Sequence, residues 1–226
     1  MFVVRMEAIL DLYRQPYDPK RPVVCVDEKG KELLLQITPE EPMDVGRPRR
    51  EDYEYKRNGA CNLFMLYEPH TGYRHVEVTR HKQAKNFADF LRWIVDEGYA
   101  NAEKVTIVCD NLPVHTESCL YQSFGPAEAR RVARRVDFEY TPKHASWLNM
   151  VEIEIGILGK QCLKRRMGEI EFVESEVAAW EDERNAKRVK IDWQFGCEEA
   201  RVKLERLYPK LQVEDVPPEA ISLAYI

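Results

Sequence analysis

The chain lacks any run approaching the ~18 apolar residues that a membrane-spanning helix needs, and Glu7 and Asp11 interrupt its first apolar residues, so no secretory leader is read there. Glycine and proline are sparse, 10 and 13 in 226 residues, which excludes collagen-like and low-complexity classes. There is no C-x-x-C pair. Cys25, Cys61, Cys109, Cys119, Cys162 and Cys197 stand far apart, three of them inside apolar runs, as reduced core thiols of a cytosolic protein do. Positive charge is not in excess: 34 Lys and Arg face 39 Asp and Glu, a net charge of -5. That argues against a protein built to coat nucleic acid. It leaves room for a catalytic domain whose acids hold cations and whose basic strips are local. What is present, 44% hydrophobic residues in a chain of this length, suffices for a core without staples.

The order of elements points to an α/β fold with a mixed sheet. Residues 1–20 read as a helix and linker ended by Pro16 and Pro19. Pro22-Val-Val-Cys-Val-Asp27 has the continuous apolar form of a central strand covered on both faces. Gly30 marks a turn, and Glu32–Ile37 is the return strand. Residues 39–58 read as a long loop or extended hairpin, Ala60–Tyr67 and Arg74–Val78 as further strands. Phe87, Phe90, Leu91, Ile94 and Val95 recur at helical spacing. Val105-Thr-Ile-Val-Cys-Asp110 is a second buried-type strand, Pro126 opens a basic helix through Arg135, and Val136–Tyr140 is a fifth strand. Helices are expected over Trp147–Leu163, Phe172–Asn185 and Cys197–Leu207, then a tail over 210–226. A right-handed crossover would bring the Val105 strand beside the first.

Asp27 and Asp110 each end an apolar run of the same form. On neighbouring parallel strands both would emerge at the carboxyl edge, where α/β sheets bind ligands. Like charges so placed repel unless a cation lies between them; alternatively, each aspartate caps the turn that follows. On the next helix Leu148, Val151, Ile155, Leu158 and Cys162 form one apolar stripe. Glu152 falls on its edge, and Glu154 falls off it. Gly156 and Gly159 lower that face for close approach of another backbone. Asn149 and Glu152 also have capping-box spacing. Three carboxylates at one sheet edge suit Mg²⁺ or Mn²⁺, which take oxygen ligands.

Three stretches carry a resemblance: Val24-Cys-Val-Asp27-Glu-Lys29, Val108-Cys-Asp110-Asn111 followed by His115-Thr116, and Tyr140-Thr-Pro142-Lys-His through Ser146-Trp147-Leu-Asn149 to Glu152 and Glu154. They resemble the DDE transposases of bacterial insertion sequences, in the mariner-like superfamily. Trp180-Glu, Arg184-Asn185, Trp193-Gln-Phe195 and the 200–209 run resemble that family's tail. The resemblance implies an RNase H-like fold, a mixed five-stranded sheet flanked by helices, over residues 21–209. It implies Asp27, Asp110 and Glu152 as catalytic metal ligands for two Mg²⁺ or Mn²⁺ ions, with Asn111 and His115 behind them orienting a carboxylate or a phosphate, and Asn149 beside them, packing the helix start or touching DNA. The implied reaction is cleavage of transposon ends by water and joining of the 3′-hydroxyl to target DNA. The implied partners are those DNAs and a second copy of the chain in a synaptic complex, in the bacterial cytoplasm, with no membrane.

Forty-one residues separate Asp110 from Glu152, more than in the mariner-like pattern, and 117–130 is the expected place for the excess. With 26 residues ahead of Asp27, the chain reads as a catalytic domain without the family's helix-turn-helix region. Candidate DNA contacts are Arg47, Arg49, Arg50, Lys56 and Arg57, interleaved with Tyr53 and Tyr55. Further candidates are the basic helix face of Arg130, Arg131 and Arg134, together with Lys143, His144 and Trp147; Trp147 alternatively packs the helix start. Two other readings stand beside the transposase: a nuclease or resolvase on the same fold, and an inactive remnant serving as an interaction module.

Overall fold

The computed structural model describes residues 2–37, 46, 54–113 and 115–209. Helix α1 (Phe2–Arg14) leads into strands β1 (Val23–Gln36), β2 (Tyr55–Tyr67) and β3 (Arg74–Thr79). Helix α2 (Ala84–Trp93) crosses to β4 (Val105–Cys109). Helices α3 (Ser118–Ser123) and α4 (Pro126–Ala133) precede β5 (Val136–Tyr140), and α5 (Val151–Gln161), α6 (Ile170–Ala186) and α7 (Cys197–Lys203) follow. The sheet order is β3-β2-β1-β4-β5. The first three strands are mutually antiparallel, while β4 runs parallel to β1 and β5 to β4. The crossover through α2 thus sets the two apolar strands side by side. The excess spacing before Glu152 holds α3 and the start of α4.

Alternation along β1 divides the core. Val23 and Cys25 pack with Met6, Ile9 and Leu10 of α1, Val151 and Leu158 of α5, and Val173 of α6. Val24 and Val26 pack on the other face with Phe87, Phe90 and Leu91 of α2 and Val132 of α4. Helix α1 therefore joins the same core as the sheet. All six cysteines are buried and unpaired, and burial pushes the Cys25 thiol up to about 11. Among the described residues no helix is long and apolar enough to cross a membrane.

Two expectations are corrected. There is no turn at Gly30 and no separate return strand at Glu32–Ile37. β1 passes straight through Gly30, which faces Asn62, with one irregularity between Glu32 and Leu34. The pairing with β4 ends at Cys25 opposite Val108, so beyond Asp27 the strand has β2 as its one partner. Its polar composition there belongs to a half-buried two-stranded ribbon, in which Leu33 is buried, not to a turn. Secondly, the helix expected from Trp147 starts later: residues 146–148 form a single 3₁₀ turn, and α5 begins at Val151.

Candidate active site

The parallel register pairs Cys25 with Val108. Two residues on, Asp27 and Asp110 lie side by side on the same sheet face, at the carboxyl edge. Asp27 is buried, and its Oδ1 accepts the Glu28 N–H at 2.8 Å. Asp110 Oδ1 accepts the Leu112 N–H at 3.3 Å, so this aspartate also makes the turn bond that the simpler reading assigned to it. Burial raises the Asp27 carboxyl to about 7; its bond from Glu28 N–H opposes this, while the negative charges of Asp110, Glu28 and Glu152 add to it. Asp27 thus senses both other members of the expected trio.

Glu152 stands exposed in the first turn of α5. Several tethers fix that turn. Asn149 Nδ2 donates to the Val26 carbonyl at 3.0 Å, one residue from Asp27, and the Asn149 carbonyl accepts the Glu152 N–H at 3.1 Å. Tyr13 of α1 donates to the Leu148 carbonyl at 2.7 Å. At the far end Lys31 Nζ donates to the carbonyls of Leu163 and Arg165 at 2.8 and 3.0 Å. The capping-box reading is overturned: the Asn149 side chain is spent on β1, and its Oδ1 accepts no bond. The Asn149 side chain thereby ties the residue ahead of α5 to the backbone of β1.

The burial order on α5 is also corrected. Glu154, not Glu152, occupies the buried stripe with Val151, Ile155 and Leu158. The spacing i, i+3, i+4, i+7 contains the signal. Glu154 is fully buried between Arg74 of β3, at 3.2 Å, and Arg184 of α6, at 2.8 Å. A carboxylate can be buried there because two guanidiniums meet it. Gly156 and Gly159 do not admit a backbone. A Cβ at 156 would meet open space, and one at 159 would lie 3.7 Å from the Lys29 side chain.

His115 lies against Asp110. Its Nδ1 is 2.5 Å from Asp110 Oδ1, and its Nε2 is 2.9 Å from Glu28 Oε2. Burial disfavours the charged ring, but Glu28 and Asp110 outweigh it and raise the His115 pKa. The adjacent His115 ring holds the Glu28 carboxyl below its ordinary value, against the cost of burial. Glu28 lies on the opposite sheet face from Asp27, and the sequence reading absorbed it into a turn. Asn111 is exposed and makes no hydrogen bond within the described residues.

The basic candidates fall into three places. Lys143 and His144 are exposed in the turn after β5, at the same sheet edge as the acids, and His144 has a left-handed φ of 64°. Trp147 follows them, packed edge-on against Phe195 at 5.6 Å yet 42% exposed. Arg134 and its neighbour Arg135 lie at the opposite edge, where β4 and β5 begin, and Arg131 is bound by Asp96 and Glu128. Arg130 is exposed on the same helix. Lys56 and Arg57 pair with Leu35 and Leu34, ~23 Å along β1 from Asp27. Tyr55 holds the Arg166 guanidinium over its ring at 5.5 Å. Arg47, Arg49, Arg50 and Tyr53 lie outside the described residues, as does the tail.

The donor set at the acidic edge is carboxylate oxygen, the chemistry of a hard divalent cation. The Asp27 carboxyl is raised chiefly by burial, with the negative charges of Asp110, Glu28 and Glu152 adding to it. Among the described residues no three His, Cys, Asp or Glu side chains form a closed cluster around one point.

Comparison with known proteins follows the same lines. The family model described as DDE superfamily endonuclease matches residues 22–173, which contain all three acids. A pre-cleavage Mos1 transpososome superposes with a TM-score of 0.53 at 15% identity, over 91% of this chain and 58% of that one. A Mos1 mariner paired-end complex with Mn superposes with a TM-score of 0.50 at 17% identity, over 82% and 55%. The chain thus spans under two thirds of the length of these structures, with which it shares the RNase H-like fold. No curated protein sequence matches it.

Proposed function

Since the chain belongs to the DDE superfamily endonucleases, we propose that it is the catalytic domain of a transposase, cleaving DNA at element ends and joining the 3′-hydroxyl to target DNA. The observation that carries this is the register that sets Asp27 beside Asp110, with α5 clamped to the Val26 carbonyl so that Glu152 opens the facing helix. Asp27, Asp110 and Glu152 would hold two divalent ions. Such ions polarise the scissile phosphodiester and stabilise the leaving oxygen.

The chain's own residues do the placing. Asp27 is paired with Met65 of β2, two residues past the last β1–β4 pair, and its Oδ1 accepts the Glu28 N–H. Asp110 is held through Oδ1 by His115 and the Leu112 N–H. Glu152 is carried by a helix pinned at both ends. Without cations the Asp27 carboxyl keeps a proton up to about pH 7, and cation binding would displace it. Lys143, His144 and Trp147 flank the same edge and suit the phosphates and an end base of the DNA. The Mos1 structures are a transpososome and a paired-end complex; the corresponding partners here are two DNA ends and a second copy of the chain.

The test is nicking of supercoiled plasmid in Mg²⁺ or Mn²⁺ at low salt, where phosphate-driven binding is strongest. Wild type is expected to nick, with Asp110→Asn and Glu152→Gln reduced at least a hundredfold. Joining of a 3′-hydroxyl oligonucleotide to plasmid then separates a transposase from a nuclease of the same fold. Nicking by both variants at the wild-type rate would remove the assignment of the site.

A further inference from the structure

Glu28 follows the proposed metal ligand Asp27 in sequence but faces away from it, into the α2 side of the sheet. There its carboxylate meets His115 Nε2 at 2.9 Å, while Lys82 stands 3.7 Å away. His115 is fully buried, with Phe87 of α2 against its ring at a centroid distance of 4.7 Å. Its backbone is held as well: its N–H donates to the Leu112 carbonyl at 3.0 Å, and its carbonyl accepts the Tyr140 hydroxyl at 2.8 Å. The imidazole has little freedom, and its second nitrogen lies on Asp110 Oδ1 at 2.5 Å.

We infer that Glu28 is a positioning residue that acts through His115 to fix which oxygen of Asp110 faces Asp27. The inference rests on the reading of Asp27, Asp110 and Glu152 as a divalent-cation site. A carboxylate on the far side of an imidazole sets the ring's orientation and the direction of its N–H, and such outer partners are worth about 10–100-fold in metal affinity. With Oδ1 engaged by His115 and the Leu112 N–H, the other carboxylate oxygen of Asp110 is left for a cation. Glu28 would then contribute no oxygen to the cation itself, although it is the nearest acid in sequence to Asp27.

The test is Mn²⁺ binding by electron paramagnetic resonance to the full chain without DNA, in a double-mutant cycle. Glu28→Gln and His115→Gln are each expected to weaken Mn²⁺ binding about tenfold. The double variant should be no weaker than either single one, because both break the same chain of contacts. Glu28→Asp keeps the charge on a shorter arm and should fall between wild type and Glu28→Gln. Asp110→Asn and Asp27→Asn report on the underlying site. If these two leave Mn²⁺ binding unchanged, the site reading fails and the inference with it. If they abolish binding while Glu28→Gln binds as wild type, the site stands and the inference is overturned. If the Glu28→Gln loss persists undiminished in a His115→Gln background, Glu28 is itself a ligand, which also overturns it. Thermal melting in EDTA checks that each variant is folded; should Glu28→Gln fail to fold, the Glu28→Asp and His115→Gln cycle carries the same comparison.

Discussion

Asp27→Asn is expected to abolish DNA nicking and, in EDTA, to make the protein more stable. On the proposed cation-binding role of Asp27, the two effects oppose each other because its buried charge costs stability until a cation offsets it. Its pKa stands near 7, against 3.8 for the free side chain. A carboxyl raised on folding favours the native state only while it is protonated. Its contribution is complete below about pH 4 and is lost as pH climbs to about 7, after which it is constant. Each pKa unit corresponds to about 1.4 kcal/mol, so the burden at pH 8 is on the order of 4 kcal/mol. Asparagine removes the charge at every pH. For a domain of this size the gain corresponds to a rise in Tm of roughly 10 °C at pH 8, and to almost none at pH 4. Melting curves of wild type and variant across that interval check it. A pH-independent difference would mean that the gain has some other origin than ionisation of Asp27. Saturating Mn²⁺ should narrow the gap by stabilising wild type alone.

Glu154→Gln is the second large effect, and it is a loss. Arg74 and Glu154 have no solvent exposure, and Arg184 has 11%. Burial lowers the Arg74 pKa, with the Glu154 charge acting in the opposite direction. Arg74 also donates to the Val189 carbonyl at 2.5 Å, and its main chain exchanges bonds with the Asn185 amide at 3.0 and 2.8 Å. Removing the one carboxylate leaves two guanidiniums facing each other out of water. A buried pair broken on one side costs about 3–5 kcal/mol. Urea denaturation should show that loss, and a change under ~1 kcal/mol would mean that water already reaches the group. Replacing Arg74 and Glu154 together by methionine should recover much of it, since well-packed apolar groups often substitute for a buried ion pair without cost. Nicking by Glu154→Gln at a temperature where it remains folded would report whether the ion triad also sets the rotation of α5.

The adjacency of β1 and β4, and with it the placing of Asp27 beside Asp110, was legible because it depends on local pattern. Two apolar runs with the same ending, separated by an amphipathic helix, can become neighbours by one permitted crossover. The polar stretch around Gly30 misled, since a half-buried two-stranded ribbon and a turn draw on the same residue types. Glu152 and Glu154 were read in the wrong burial order because Leu148 was counted as helical. Starting α5 at Val151 places Glu154 in the apolar stripe at once. Glu28 with His115, and Glu154 with Arg74 and Arg184, involve partners 30 to 87 residues apart, and no period in the chain announces them. The basic face of Arg130, Arg131 and Arg134 was a sound helical pattern, but a pattern does not say which edge of the sheet a helix end reaches.

The unbroken course of β1 has a mechanical consequence. From Asp27 to Gln36 the strand extends ~30 Å with β2 alongside it, and the Leu34 N–H is fastened to the Met167 carbonyl at 2.8 Å. The ribbon carries one irregularity, between Glu32 and Leu34, so a partner held at its far end would be coupled to the acidic edge through that point and the Met167 fastening.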